Sequence, residues 1–76
     1  MTIDIHGMIV VQAKKVLEKA ISSASKDTKE IIIIHGYSQG DALKTMVRDP
    51  NQLRSNRIKR RKITKNPGET ILELYV

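Results

Sequence analysis

An aspartate and a histidine stand two positions apart near the start of the chain, in Ile3-Asp4-Ile5-His6-Gly7. Residues i and i+2 of a strand share a face, so Asp4 can orient His6 or stabilise its charged form. Such a pair can act as general base, as general acid, or as part of an oxygen and nitrogen metal site. The same spacing equally suits a turn-stabilising hydrogen bond with no chemistry. A second segment, Ile34-His35-Gly36-Tyr37-Ser38-Gln39-Gly40, carries another histidine into a glycine-containing loop. Helix-first amides lack partners inside the helix and favour anions, and glycine lets a phosphate come close to the backbone. Asp4, His6 and His35 are therefore the catalytic candidates, and Gly36, Ser38 and Gly40 the phosphate-binding ones. A plain strand-to-helix turn would use similar residues. Tyr37, beside that loop, is placed either to meet a nucleic acid or to pack over the start of the helix.

The elements that must position these groups can be read from periodicity. Thr2 to Ile5 suits a short first strand. From Val10 onward Ala13, Leu17, Ala20, Ile21 and Ala24 recur at three and four residues, with polar residues opposite, which predicts an amphipathic helix of about four turns. Ser25 to Thr28 breaks the pattern. Glu30-Ile31-Ile32-Ile33-Ile34 is rich in β-branched residues and reads as a central strand covered on both faces. Ser38 is placed to cap a second, short helix through Ala42, Leu43, Met46 and Val47 that stops at Asp49-Pro50. Asn51 to Ser55 has no clear period and reads as a loop with room for one further helical turn. Arg57 to Thr64 and Thr70 to Val76 form an antiparallel hairpin around Asn66-Pro67-Gly68-Glu69.

The order βαβαββ predicts an α/β two-layer sandwich, with a mixed four-stranded sheet and two helices on one face. If the two strands that begin the motifs are parallel, Asp4, His6, His35 and the loop meet at one rim, beyond the strands' carboxyl ends, where open sheets place ligands. The isoleucine run then leaves an apolar sheet face to be covered, either by the basic hairpin curling over it or by a second copy of the chain.

Seventy-six residues suffice for a single domain, 1–76. Without cysteine there is no disulfide, thiol nucleophile or cysteine zinc site. The longest aliphatic run is far below the ~20 residues that span a bilayer, and the expected setting is cytoplasmic, away from membranes. The formal charge is +6, from 14 basic and 8 acidic residues, which attracts polyanions. Seven of those cations, Arg54, Arg57, Lys59, Arg60, Arg61, Lys62 and Lys65, fall in twelve residues without an acid. The expectation is contact with DNA or RNA backbone phosphates; a solvated edge strand that resists aggregation is the plainer alternative. With no Phe or Trp and two Tyr, base stacking is a poor option.

Ile-Asp-Ile-His-Gly before an amphipathic helix, Ile-Ile-His-Gly before a glycine-containing helix start, and the terminal Thr-Ile-Leu-Glu-Leu strand together resemble the Smr (small MutS-related) domain over essentially the whole chain. In that family the signatures are typically Leu-Asp-Leu-His-Gly and His-Gly-x-Gly-x-Gly, and the fold is similar to the C-terminal domain of translation initiation factor three. The resemblance implies DNA or RNA binding and, in several members, cleavage of phosphodiester bonds, sometimes with a divalent metal. Binding would need no cofactor; catalysis would draw on Mg²⁺ or Mn²⁺. Ser38 replaces a glycine of the second signature, Gln39 a threonine, and Ile9 a threonine cap of the first helix, while the glycines before the last strand are reduced to Pro67-Gly68. Three readings follow: a nicking endonuclease, a non-catalytic RNA- or ribosome-binding module, and a protein-interaction module.

Overall fold

The computed structural model describes residues 1–36 and 41–76; Tyr37, Ser38, Gln39 and Gly40 lie outside the described residues, and with them the roles expected of Tyr37, Ser38 and Gly40. The chain runs β1 (Thr2–Asp4), α1 (Val10–Ser23), β2 (Glu30–Ile34), α2 (Ala42–Arg48), β3 (Ile58–Ile63) and β4 (Glu69–Leu74). The sheet order is β1-β2-β4-β3. β1 and β2 are parallel, and β4 is antiparallel to both β2 and β3. This is the expected mixed sheet.

Alternation decides which face each strand presents. Ile31 and Ile33 of β2, with Leu72 and Leu74 of β4, are buried against Ala13, Leu17 and Ile21 of α1 and Met46 and Val47 of α2, so both helices cover one face. Ile5 and Leu53 complete this core. Each such side chain removed from water contributes about 1.5–3 kcal/mol. On the other face Ile32, Ile34 and Ile71 are only half-buried.

Two expectations need correction. The hairpin does not curl over the open face: β3 lies in the sheet plane as an edge strand, with a register shift between Ile58 and Arg60. Only its side chains reach across, as Lys62 does to meet Glu30. Glu30 is on β2, two strands away, so the Lys62 stem must pass over β4 and shields part of the apolar stripe. The second helix starts at Ala42, with Asp41 rather than Ser38 at the cap position, and Asp41 makes no side-chain cap bond. Asn51 to Leu53 lies in a loop that keeps one uncontinued helical turn, closed by the Gln52 and Leu53 amides on the Asp49 carbonyl. No helix among the described residues is long and apolar enough to cross a membrane.

Candidate nucleic-acid interface

β1 ends at Asp4, and its last pairing sets Asp4 beside Ile34 on the open face of the sheet. The strand then turns out through His6 and Gly7, the latter at φ 80°. The Asp4 carboxylate tightens this exit: Oδ1 accepts the His6 backbone N–H at 3.0 Å and lies 2.6 Å from His6 Nδ1. Those two bonds, the side-chain one foremost, hold the Asp4 carboxyl below its ordinary value. A carboxylate can only accept, so Nδ1 carries the proton and the neutral ring keeps its lone pair on Nε2. The His6 side chain is 66% exposed, and its Nε2 has no protein partner among the described residues. An exposed imidazole fixed in one tautomer by a carboxylate is equipped to take a proton from an oxygen brought to it.

His35 is built differently. The residue runs in phase with Ile31 and Ile33, and so points into the helix-covered side, with 4% of its surface exposed. Its Nδ1 lies 2.9 Å from the Gly36 carbonyl and its Nε2 2.9 Å from Thr70 Oγ1. Both ring nitrogens are thus committed inside the fold, which removes His35 from direct contact with a phosphate. Gly36 stays at the rim. A β-carbon placed on it would lie 3.5 Å from His6 Cβ, and its φ of 75° favours glycine.

The His35 and Gly36 amides both donate to the Gly68 carbonyl, at 2.9 and 3.0 Å. The β3–β4 turn therefore shares the rim with Asp4 and His6 and brings exposed Lys65 to it. Lys65 and Arg54 are the two of the seven cations with no side-chain partner among the described residues.

The other five are engaged within the fold. Arg57 donates to the carbonyls of Ile21, Ala24 and Ser25 at 2.8, 2.6 and 2.9 Å, closing the C-terminal end of α1. Arg61 donates to the carbonyls of Val47, at 2.8 Å, and Leu53, and partial burial lowers its pKa against the opposing pull of Asp49. Arg60 Nε meets Glu73 Oε1 at 2.8 Å, Lys59 approaches the same oxygen at 3.8 Å, and Lys62 pairs with Glu30 and Glu73. Burial works to raise the Glu73 pKa, but the bonds from Arg60 and Lys62 outweigh it and the carboxyl stays low. The expected basic face is thus corrected. Arg57 and Arg61 are structural staples, and Lys59, Arg60 and Lys62 share the two acids Glu30 and Glu73.

Among the described residues no three of His, Asp and Glu gather to hold a cation. Asp4 and His6 offer one carboxylate and one imidazole, so a Mg²⁺ or Mn²⁺ held there would take its remaining ligands from substrate phosphates and water. A cleft of about 440 Å³ lined by Lys29, Glu30, Lys59, Arg60 and Glu73 lies at the opposite end of the sheet, where β2 begins and β4 ends. It is remote from the dyad. Sequence reasoning missed Thr70, which meets His35 from behind, and Arg48, which in turn donates to Thr70; the buried phase of Thr70 with Leu72 and Leu74 was the available signal.

The family model described as Smr domain matches residues 3–70. No curated protein and no solved structure gives a significant match.

Proposed function

Because the chain belongs to the Smr domain family, a family of nucleic-acid-binding and nuclease-related modules, we propose that it engages the backbone of DNA or structured RNA at the rim formed by β1, β2 and the β3–β4 turn, and that Asp4 and His6 cleave the phosphodiester held there. The observation that carries this reading is the 2.6 Å bond between exposed Asp4 and His6, with Gly36 packed beside His6. Lys65, in the turn at the same rim, supplies positive charge for a phosphate.

In the reaction His6 Nε2 accepts the proton of the attacking water or sugar hydroxyl. The freed oxygen forms the new bond to phosphorus as the bond to the leaving oxygen breaks, and the leaving oxygen takes a proton from the imidazolium or from solvent. Asp4 remains a carboxylate throughout and stabilises the imidazolium. The step runs through this pair alone.

Incubating the protein with end-labelled stem-loop RNA and supercoiled plasmid, in EDTA and in Mg²⁺ or Mn²⁺, tests the proposal. Cleavage abolished by His6→Ala and strongly reduced by Asp4→Asn is expected. Cleavage that survives both substitutions refutes it. Salt-sensitive binding without cleavage by the parent protein would support the second reading, a non-catalytic binder.

A further inference from the structure

Resting on the rim reading above, we propose that Arg48 and Thr70 are positioning residues of the site, acting through His35 to hold the Gly36 backbone against His6. The hydrogen-bond directions follow from elementary chemistry. The Gly36 carbonyl only accepts, so His35 Nδ1 carries the ring proton and donates at 2.9 Å. In the neutral ring Nε2 then accepts, and the donor 2.9 Å away is the Thr70 hydroxyl. With its one proton spent, Thr70 Oγ1 accepts from Arg48 Nε at 2.8 Å. Arg48 is anchored a second time, by Nη2 on the Glu69 carbonyl at 3.4 Å. Every link points the same way, from the guanidinium through a hydroxyl and an imidazole to one backbone carbonyl.

That carbonyl belongs to the residue beside the dyad. Gly36 is gripped from both sides: its N–H and that of His35 donate to Gly68, and its carbonyl is taken by His35. Gly36 lies next to His6 at the rim, close enough that an added β-carbon would reach ordinary van der Waals distance of His6 Cβ, 3.5 Å, so a shift of the Gly36 backbone changes the space left to His6. The chain is also sealed and complete. Thr70 is fully buried, His35 nearly so, and no buried side-chain polar atom among the described residues lacks a partner. A satisfied buried polar network of this kind fixes one geometry where an apolar cluster would allow several.

Thr70→Val removes the hydroxyl at nearly constant volume, Thr70→Ser restores it, and Arg48→Met removes the anchor from a partly exposed position. Two readouts are taken for each. The first is NMR: the backbone amide signals of Gly36 and His6 and the imidazole nitrogens of His35. The second is cleavage of labelled stem-loop RNA. Thr70→Val and Arg48→Met should shift the Gly36 and His6 amides and lower kcat by about 10- to 100-fold with KM little changed, the scale expected when reacting groups are misplaced by up to an ångström. Thr70→Ser should return both readouts to those of the parent. Unshifted Gly36 and His6 signals in a folded Thr70→Val protein overturn the proposal, and Arg48→Met decides it in the same way if Thr70→Val does not fold. Should the parent neither bind nor cut nucleic acid, the proposed function fails, while the NMR comparison still decides the relay.

Discussion

Replacing Arg57 with alanine separates two explanations of the basic segment, because a phosphate-binding arginine and a helix-closing arginine fail in different assays. The guanidinium donates three hydrogen bonds to the carbonyls that end α1. Hydrogen bonds from charged donors each contribute about 1.5–3 kcal/mol, but three from one group are not additive, and water can take over at the exposed Ser25 end. A cation at a helix C-terminus gains about 0.3–1 kcal/mol more. The expected cost of Arg57→Ala is therefore about 2–4 kcal/mol, a large fraction of the roughly 4–11 kcal/mol available to a domain of this length. Urea unfolding should show a lower midpoint with an unchanged m-value. The melting temperature should fall by at least about 8 °C.

Lys65→Ala is the control. An exposed lysine with no partner among the described residues should leave stability within about 0.5 kcal/mol of the parent. If Lys65 contacts a phosphate, its removal should reduce the slope of log K against log salt by about 0.9 on duplex DNA, whereas Arg57→Ala, measured where it is folded, should leave that slope unchanged. An Arg57→Ala protein as stable as the parent, with its salt slope reduced by about one phosphate, would refute the assignment of Arg57 to helix closure.

Further outcomes follow from the rim. His6→Ala should lower cleavage by about 10²–10⁴-fold, the usual range for a positioned acid or base, and leave the unfolding midpoint nearly unmoved, since the side chain is exposed. An NMR titration should place the Asp4 midpoint below 3.8, and His6→Ala should return it towards that value. Because the folded-state value is the depressed one, the stabilisation from this bond is present above the unfolded-state pKa and is lost as pH falls through the folded one, so Asp4→Asn should flatten the acid limb of the stability profile. Gly7→Ala should cost about 1–2 kcal/mol from its positive φ alone, as open space surrounds it. Gly36→Ala, with the same strain and a contact to His6, should cost at least as much in urea unfolding and reduce cleavage besides.

Much of the architecture was legible because the chain's signals are local. The three- and four-residue spacing of Ala13, Leu17 and Ile21 dictates α1, the β-branched run dictates β2, and Asp49-Pro50 ends α2 where expected. The side chains at the rim were less legible because their facing depends on register between strands far apart in sequence. Pairing of Asp4 with Ile34 puts the two histidine motifs one residue out of phase. His6 falls beside Gly36 on the outside, and His35 falls beside Ile5 in the interior. A shift of one residue would have put both histidines on the same face. Four consecutive isoleucines give no alternation to tell the inward phase from the outward one, so the inward position of His35 could not be read from β2 alone.

The basic segment shows why a charge count along a chain does not say which cations are free to contact a ligand. A helix ends in carbonyls that carry partial negative charge and lack partners. Both helices here end near the hairpin, and each receives one of its arginines, Arg57 for α1 and Arg61 for α2. On the open face Glu30 and Glu73, separated from the cations by more than ten positions in sequence, are brought opposite Arg60 and Lys62 by strand pairing. Five of seven charges are thereby committed to holding helices and strands together. The cations left to act on a polyanion include Lys65, brought to the rim by the turn whose Gly68 carbonyl also clamps Gly36. On the proposed reading, local geometry at that rim, more than the density of charge in the segment, decides where a phosphate would meet His6.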